Sequence, residues 1–300
     1  MGVLASVTQR ILQYNKSVGQ PRGGLLHPKF FVIEELDDGL GALDGKLENL
    51  PGGTVGIAVD NLTRLARVRP EDSAESKVTA LVDVFGVSFQ GALNISERTE
   101  YTSVAADAKA LISELTVVSH GDGTASFAID EAAVIVACQL ATYDVGLRAG
   151  PQFYDPQTSL LVPDTITVSH ILTMVERAQK YFDEHGPLLS DGFVFADRER
   201  FMLGERGGYT DLVDSGDGDF LTEETLWDFK TNGTKPTKDH ALQVLMYFLM
   251  GKESGLPEFE TQTHVGILNP RLGTVHRIAV ADVPSDVIET VRRDVIGYVA

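Results

Sequence analysis

The sequence predicts an α/β fold: a second half that mixes strands and helices, preceded by a mainly α-helical N-terminal region. Three observations carry this. Apolar residues recur at helical spacing through most of residues 53–147. Short alternating segments bounded by turn residues crowd between 192 and 231. A cluster of glycine and proline at Gly150-Pro151, Pro156 and Pro163 separates the two regimes, placing a helical domain over 1–160 and an α/β domain over 161–300.

Taken in order, residues 1–25 read as a short helix closed by the loop Gln20-Pro21-Arg22-Gly23-Gly24. Val55, Ile57, Ala58, Leu62, Leu65 and Ala66 form a helical stripe across 53–68. Pro70-Glu71-Asp72-Ser73 reads as a helix start leading to Val78, Leu81, Val82 and Val84. Ser96–Leu115 and Asp130–Leu147 read as two further helices, with Gly39-Leu40-Gly41 and Gly121-Asp122-Gly123 as turns. Ile166–Glu184 is amphipathic, with Val168, Ile171, Leu172, Val175 and Phe182 on one face and Gly186-Pro187 as its stop. Gly192–Ala196, Tyr209–Val213, Gly218–Thr222 and Thr225–Thr231 read as strands. Thr237 caps a helix over Lys238–Gly251, stopped by Gly251. Thr263–Asn269 and Thr274–Val280 read as strands joined by Pro270-Arg271-Leu272-Gly273, and Pro284 opens a last helix.

Composition bounds the function. Three hundred residues at 43% hydrophobic content suffice for one large or two modest cores. A single cysteine, Cys138, excludes an internal disulfide and points to a reducing, cytoplasmic setting; with no partner at ligand spacing it reads as buried filling. No apolar run approaches a membrane span and no secretory signal opens the chain, so no membrane partner is expected. Met1–Ser6 matches the short myristoylation pattern, read as coincidence. Forty-three acids against 25 lysines and arginines give a net charge of −18, and residues 161–300 alone hold 23 against 13. Such a chain repels nucleic acid at long range, so DNA binding would need a local cationic groove, a metal, or a protein partner that supplies substrate contacts.

The chemistry concentrates in Gly216-Asp217-Gly218-Asp219, followed by Asp228-Phe229-Lys230. With a turn centred on Glu223 and Glu224, Thr222 faces Thr225, Leu221 faces Leu226, and Asp219 lies opposite Asp228. Asp228 and Lys230 share one face while Phe229 points the other way, toward the core with Trp227. Two carboxylates about 5 Å apart repel unless a cation lies between them. Hard oxygens of this kind suit Mg²⁺ or Mn²⁺, with the Phe229 carbonyl as a third ligand. Asp217 and Asp211 are rival acids, Asp211 being disfavoured because it does not oppose Asp228 in the simplest hairpin. The acidic crowd fits no frame of a calcium-binding loop. On the Lys238–Gly251 helix, Leu242, Leu245 and Leu249 form the buried stripe, and His240, Gln243 and Tyr247 share another sector. Lys235 and Lys238 follow the lysine strand, as phosphate contacts or as ordinary loop lysines.

This ordered set resembles the PD-(D/E)xK nuclease superfamily, most closely its RecB-like branch, over about residues 165–280. The resemblance implies a restriction-endonuclease-like core, a mixed sheet flanked by helices. It implies a Mg²⁺-dependent deoxyribonuclease with Asp219 and Asp228 as metal ligands and Lys230 assisting the attacking water. Gln243 would hold substrate or scaffold the site, supported by Tyr247, and Glu176 on the preceding helix would supply a further acid. Two alternatives stay open: an idle nuclease-like scaffold for protein partners, and a metal-dependent hydrolase of a small phosphorylated ligand.

Overall fold

A computed structural model describes residues 5–70 and 74–299, with the side chains of 74–77 left aside. The myristoylation match and the proposed helix start at 71–73 fall largely outside the described residues. In chain order the first half comprises α1 (Val7–Ser17), β1 (Val32–Glu35), α2 (Gly52–Leu65), α3 (Ala74–Arg98), α4 (Val104–Ile112), β2 (Val117–Ser119), β3 (Ala125–Phe127), α5 (Glu131–Ala141), α6 (Val145–Arg148) and α7 (Pro156–Ser159). The second comprises α8 (Thr165–Glu184), β4 (Leu188–Ser190), β5 (Phe193–Val194), α9 (Arg198–Met202), β6 (Asp217–Gly218), β7 (Phe220–Thr222), β8 (Thr225–Phe229), α10 (Lys238–Ser254), β9 (His264–Asn269), β10 (Thr274–Ala279) and α11 (Ser285–Thr290). The chain is an α/β protein with a mixed six-stranded sheet.

Two compact units emerge, and they differ from a division near residue 160. One comprises 1–37, 181–230 and 234–300; the other comprises 38–180 and 231–233. The N-terminal residues belong with the sheet because β1 pairs antiparallel with β10, Val32 opposite Arg277.

In the helical unit, α2 buries Val55, Ala58, Val59 and Leu62, and α5 buries Val134, Ala137 and Cys138; the two helices pack together. The expected helix over Ser96–Leu115 is divided. Residues 96–98 complete α3, Thr99 Oγ1 donates back to the Ile95 carbonyl at 2.7 Å, and α4 starts at Val104. By length and composition one stretch of α3, Val78–Arg98, reaches what a membrane span needs, with mean hydropathy 1.4 over its most apolar window. This corrects the reading that no run approaches that length. Phe85, at φ −103° and ψ 20°, interrupts the helix; Leu81, Phe85, Ala92 and Ile95 are buried, while Val78, Val82 and Leu93 are exposed.

In the sheet unit the strand order is β1-β10-β9-β8-β7-β4, every pair antiparallel except β8 with β9. The parallel pair is connected through α10, as a parallel connection requires. β8 is buried along its length, covered by α10 residues including Leu242, Leu245 and Leu249 and, on the Trp227 side, by Tyr181 and Phe182. The expected strand at Tyr209–Val213 is a turn instead: Thr210 Oγ1 accepts from the Leu212 and Val213 amides, which closes the backbone locally. Gly192–Ala196 contributes only the two residues of β5. The α10 helix runs past Gly251 to Ser254, because Gly251 packs beneath the Phe259 ring and Gly255, at φ +68°, provides the left-handed stop.

Candidate active site

The β7–β8 hairpin has the register expected of a two-residue turn. Phe220 pairs with Trp227 and Leu221 with Leu226, which carries Asp219 opposite Asp228. The strand does not run straight through Asp219. Gly218 pairs with Phe193 in a separate two-stranded sheet, and Phe220 resumes in the main sheet, so Asp219 stands where the chain changes sheets. A Cβ at Gly218 would lie 1.7 Å from the Phe193 ring, so only glycine permits this crossing. Asp219 Oδ2 accepts from the Phe229 amide at 2.6 Å. Because a strand residue directs its N–H and C=O to the same side, the Phe229 carbonyl faces that side too.

Asp228 is 1% exposed. One oxygen, Oδ1, accepts from Lys230 Nζ at 2.8 Å; the other, Oδ2, is buried with no hydrogen-bond partner among the described residues. Burial works to lower the Lys230 pKa, but the charges of Asp228 and Asp219 outweigh it and hold the ammonium above its ordinary value. On α10, Gln243 Nε2 donates to Tyr247 Oη at 2.8 Å. Tyr247 is buried against Phe193 and Phe195. Burial first, then the nearby Asp228, raises its phenol well above the usual range, so it is neutral. His240 and Thr237 form a capping box at the start of α10, the Thr237 hydroxyl accepting from the His240 amide at 3.4 Å.

The sheet unit thus brings together Asp219, Asp228, the Phe229 backbone and Lys230, with Gln243 and Tyr247 on the helix that follows. Asp217 is exposed on β6 and does not continue the pleat of β7. The Asp211 side chain is 93% exposed and ion-paired with Arg206 at 2.7 Å, apart from the hairpin. Glu176 lies on α8 within the helical unit, and among the described residues no three His, Cys, Asp or Glu side chains gather as metal ligands. The remaining donors fit a hard divalent cation on one observation: the unpartnered Asp228 Oδ2 is a buried anionic oxygen that such an ion would satisfy.

A cavity of about 290 Å³ opens beside Lys230, bounded on α10 by residues including His240 and Gln243 and on α1 by Thr8, Ile11 and Leu12. The part played by α1 is not legible in the sequence. Val7, Ile11 and Tyr14 at helical spacing announce a buried face, but nothing local says what covers it. No family model, curated protein or solved structure matches the chain.

Proposed function

We propose that the chain is a metal-dependent nuclease that hydrolyses DNA phosphodiester bonds, built on a restriction-endonuclease-like core with a RecB-like PD-(D/E)xK centre. The observation that carries this reading is Asp228, an almost wholly buried carboxylate with one oxygen on Lys230 and the other without a donor among the described residues. A buried anion left in that condition costs several kcal/mol, on the order of 3 or more, unless a cation completes its shell. Asp219, Asp228 and the Phe229 carbonyl would hold Mg²⁺ or Mn²⁺, which when bound lowers the pKa of a water and polarises a phosphoryl oxygen. Lys230, held as a cation by its two carboxylate neighbours, does not serve as a base at neutral pH. It orients the attacking water by donating to it and stabilises charge growing on the phosphoryl oxygens. Tyr247 anchors the Gln243 amide, leaving that amide to position the substrate strand.

Degradation of single- and double-stranded DNA with Mg²⁺ or Mn²⁺ tests this, comparing wild type with Asp228→Ala and Lys230→Ala. Metal-dependent cleavage lost in both folded variants is the expected result, with rates falling by at least about a hundredfold. Cleavage that survives in both would remove the site from the reaction. The net charge of −18 favours a second reading, an idle scaffold for a protein partner; it predicts neither cleavage nor metal binding. A small phosphorylated ligand as substrate predicts hydrolysis of a nucleotide but not of DNA.

A further inference from the structure

The cavity beside Lys230 contains more than the proposed hydrolysis uses, and its walls differ in chemistry. Ile11 and Leu12 of α1 offer apolar surface, Leu12 being 51% exposed. On α10 the groups are polar and of mixed kind. His240 Nδ1 accepts from the Thr237 amide at 3.3 Å, which puts the ring proton on Nε2 as a donor. Burial, and next the charge of Lys230, hold this imidazole below its ordinary value, so it is neutral at pH 7. The Asp239 carboxylate, gripped by Asn15 at 3.0 Å and Gln20 at 2.6 Å, is an acceptor. Gln243 carries both an acceptor and a donor.

A phosphate does not suit this lining. It would meet the Asp239 carboxylate, and away from Lys230, which faces the reacting phosphate, the lining offers no cation. A nucleobase does suit it: apolar faces for α1 and an edge of mixed donors and acceptors for α10. At about 290 Å³ the space lies just below the usual range of ligand pockets, about 300–1,000 Å³, so it has room for one base rather than a paired step.

We infer that this cavity is a subsite for one unpaired nucleobase of a DNA strand, so that the substrate is single-stranded next to the bond that is cut. The inference rests on the nuclease reading, and the experiment separates the two. Metal-free binding at low salt is measured by anisotropy for labelled oligothymidylate, for an abasic chain of equal length and for a blunt duplex. Wild type binds oligothymidylate at least about tenfold more tightly than the abasic chain, and the duplex does not compete. Thr8→Trp, which fills the cavity from the exposed side of α1, loses that tenfold on oligothymidylate and nothing on the abasic chain. Should Thr8→Trp fail to fold, Leu12→Ala trims the wall instead and gives a loss of about threefold with the same pattern. Equal binding of the two single strands by wild type, no binding of either, or an equal loss on both in the variant overturns the subsite. Cleavage by wild type with Mg²⁺, run in parallel, reports on the nuclease reading alone: binding discrimination without cleavage keeps the subsite and removes the reaction, and cleavage without discrimination does the reverse.

Discussion

Lys230 stands two residues past Asp228, just beyond the end of β8, and the charges of Asp228 and Asp219 keep its ammonium protonated. The link is structural as well as chemical. Removing the ammonium leaves a carboxylate that is 1% exposed without its counter-ion. Lys230→Ala is therefore expected to lower stability by about 3 kcal/mol in urea unfolding, and Lys230→Met combined with Asp228→Leu to recover most of it. The folded-state pKa of Lys230 lies above the ordinary lysine value of 10.5, so this contribution is complete below that pH and is lost as pH rises through the higher folded value. An unfolding series from pH 7 to alkaline pH should show the wild-type advantage over Lys230→Ala shrinking only at the alkaline end. The shared face of Asp228 and Lys230 was legible because strand side chains alternate strictly. The preference for Asp219 over Asp211 rests on register alone; the ion pair of Asp211 with Arg206 depends on a turn that mimics a strand in composition.

At the scale of elements, the β7–β8 hairpin and the crossing at Asp219 behave differently under substitution. Gly218→Ala forces a methyl into the Phe193 ring, at the step where the chain passes between sheets. It is expected to cost about 1–3 kcal/mol and to displace Asp219, which thermal unfolding and metal titration of the variant would read together. The hairpin register was predictable because Glu223 and Glu224 leave a two-residue loop, and loop length fixes pairing. The crossing was not predictable: Gly216 to Thr222 reads as one alternating run, and only the Phe193 ring, more than twenty residues earlier in the chain, decides where it divides. The stop of α10 was misplaced for a similar reason. Gly251 and Gly255 are equally plausible helix ends in sequence, and the close approach of Phe259 uses up the first.

For the molecule as a whole, the α/β class and most of the longer helices followed from periodicity, while β1 to β4 and the membership of units did not. The pairing of β1 with β10 and the seating of α1 against α10 join residues more than two hundred positions apart, where no local pattern reaches. A sheet of six strands has two rims, and β1 forms one of them with all four of its residues exposed. Val32 and Ile33 would make an inviting template for another copy of the chain, but Glu34 and Glu35 complete the strand. Two copies laid rim to rim bring these carboxylates together, so part of the acidity of this chain guards it against itself. Glu34→Val with Glu35→Val would turn the rim into four consecutive β-branched apolar residues. Light scattering should then report self-association that grows with concentration, in a protein whose fold is otherwise unchanged.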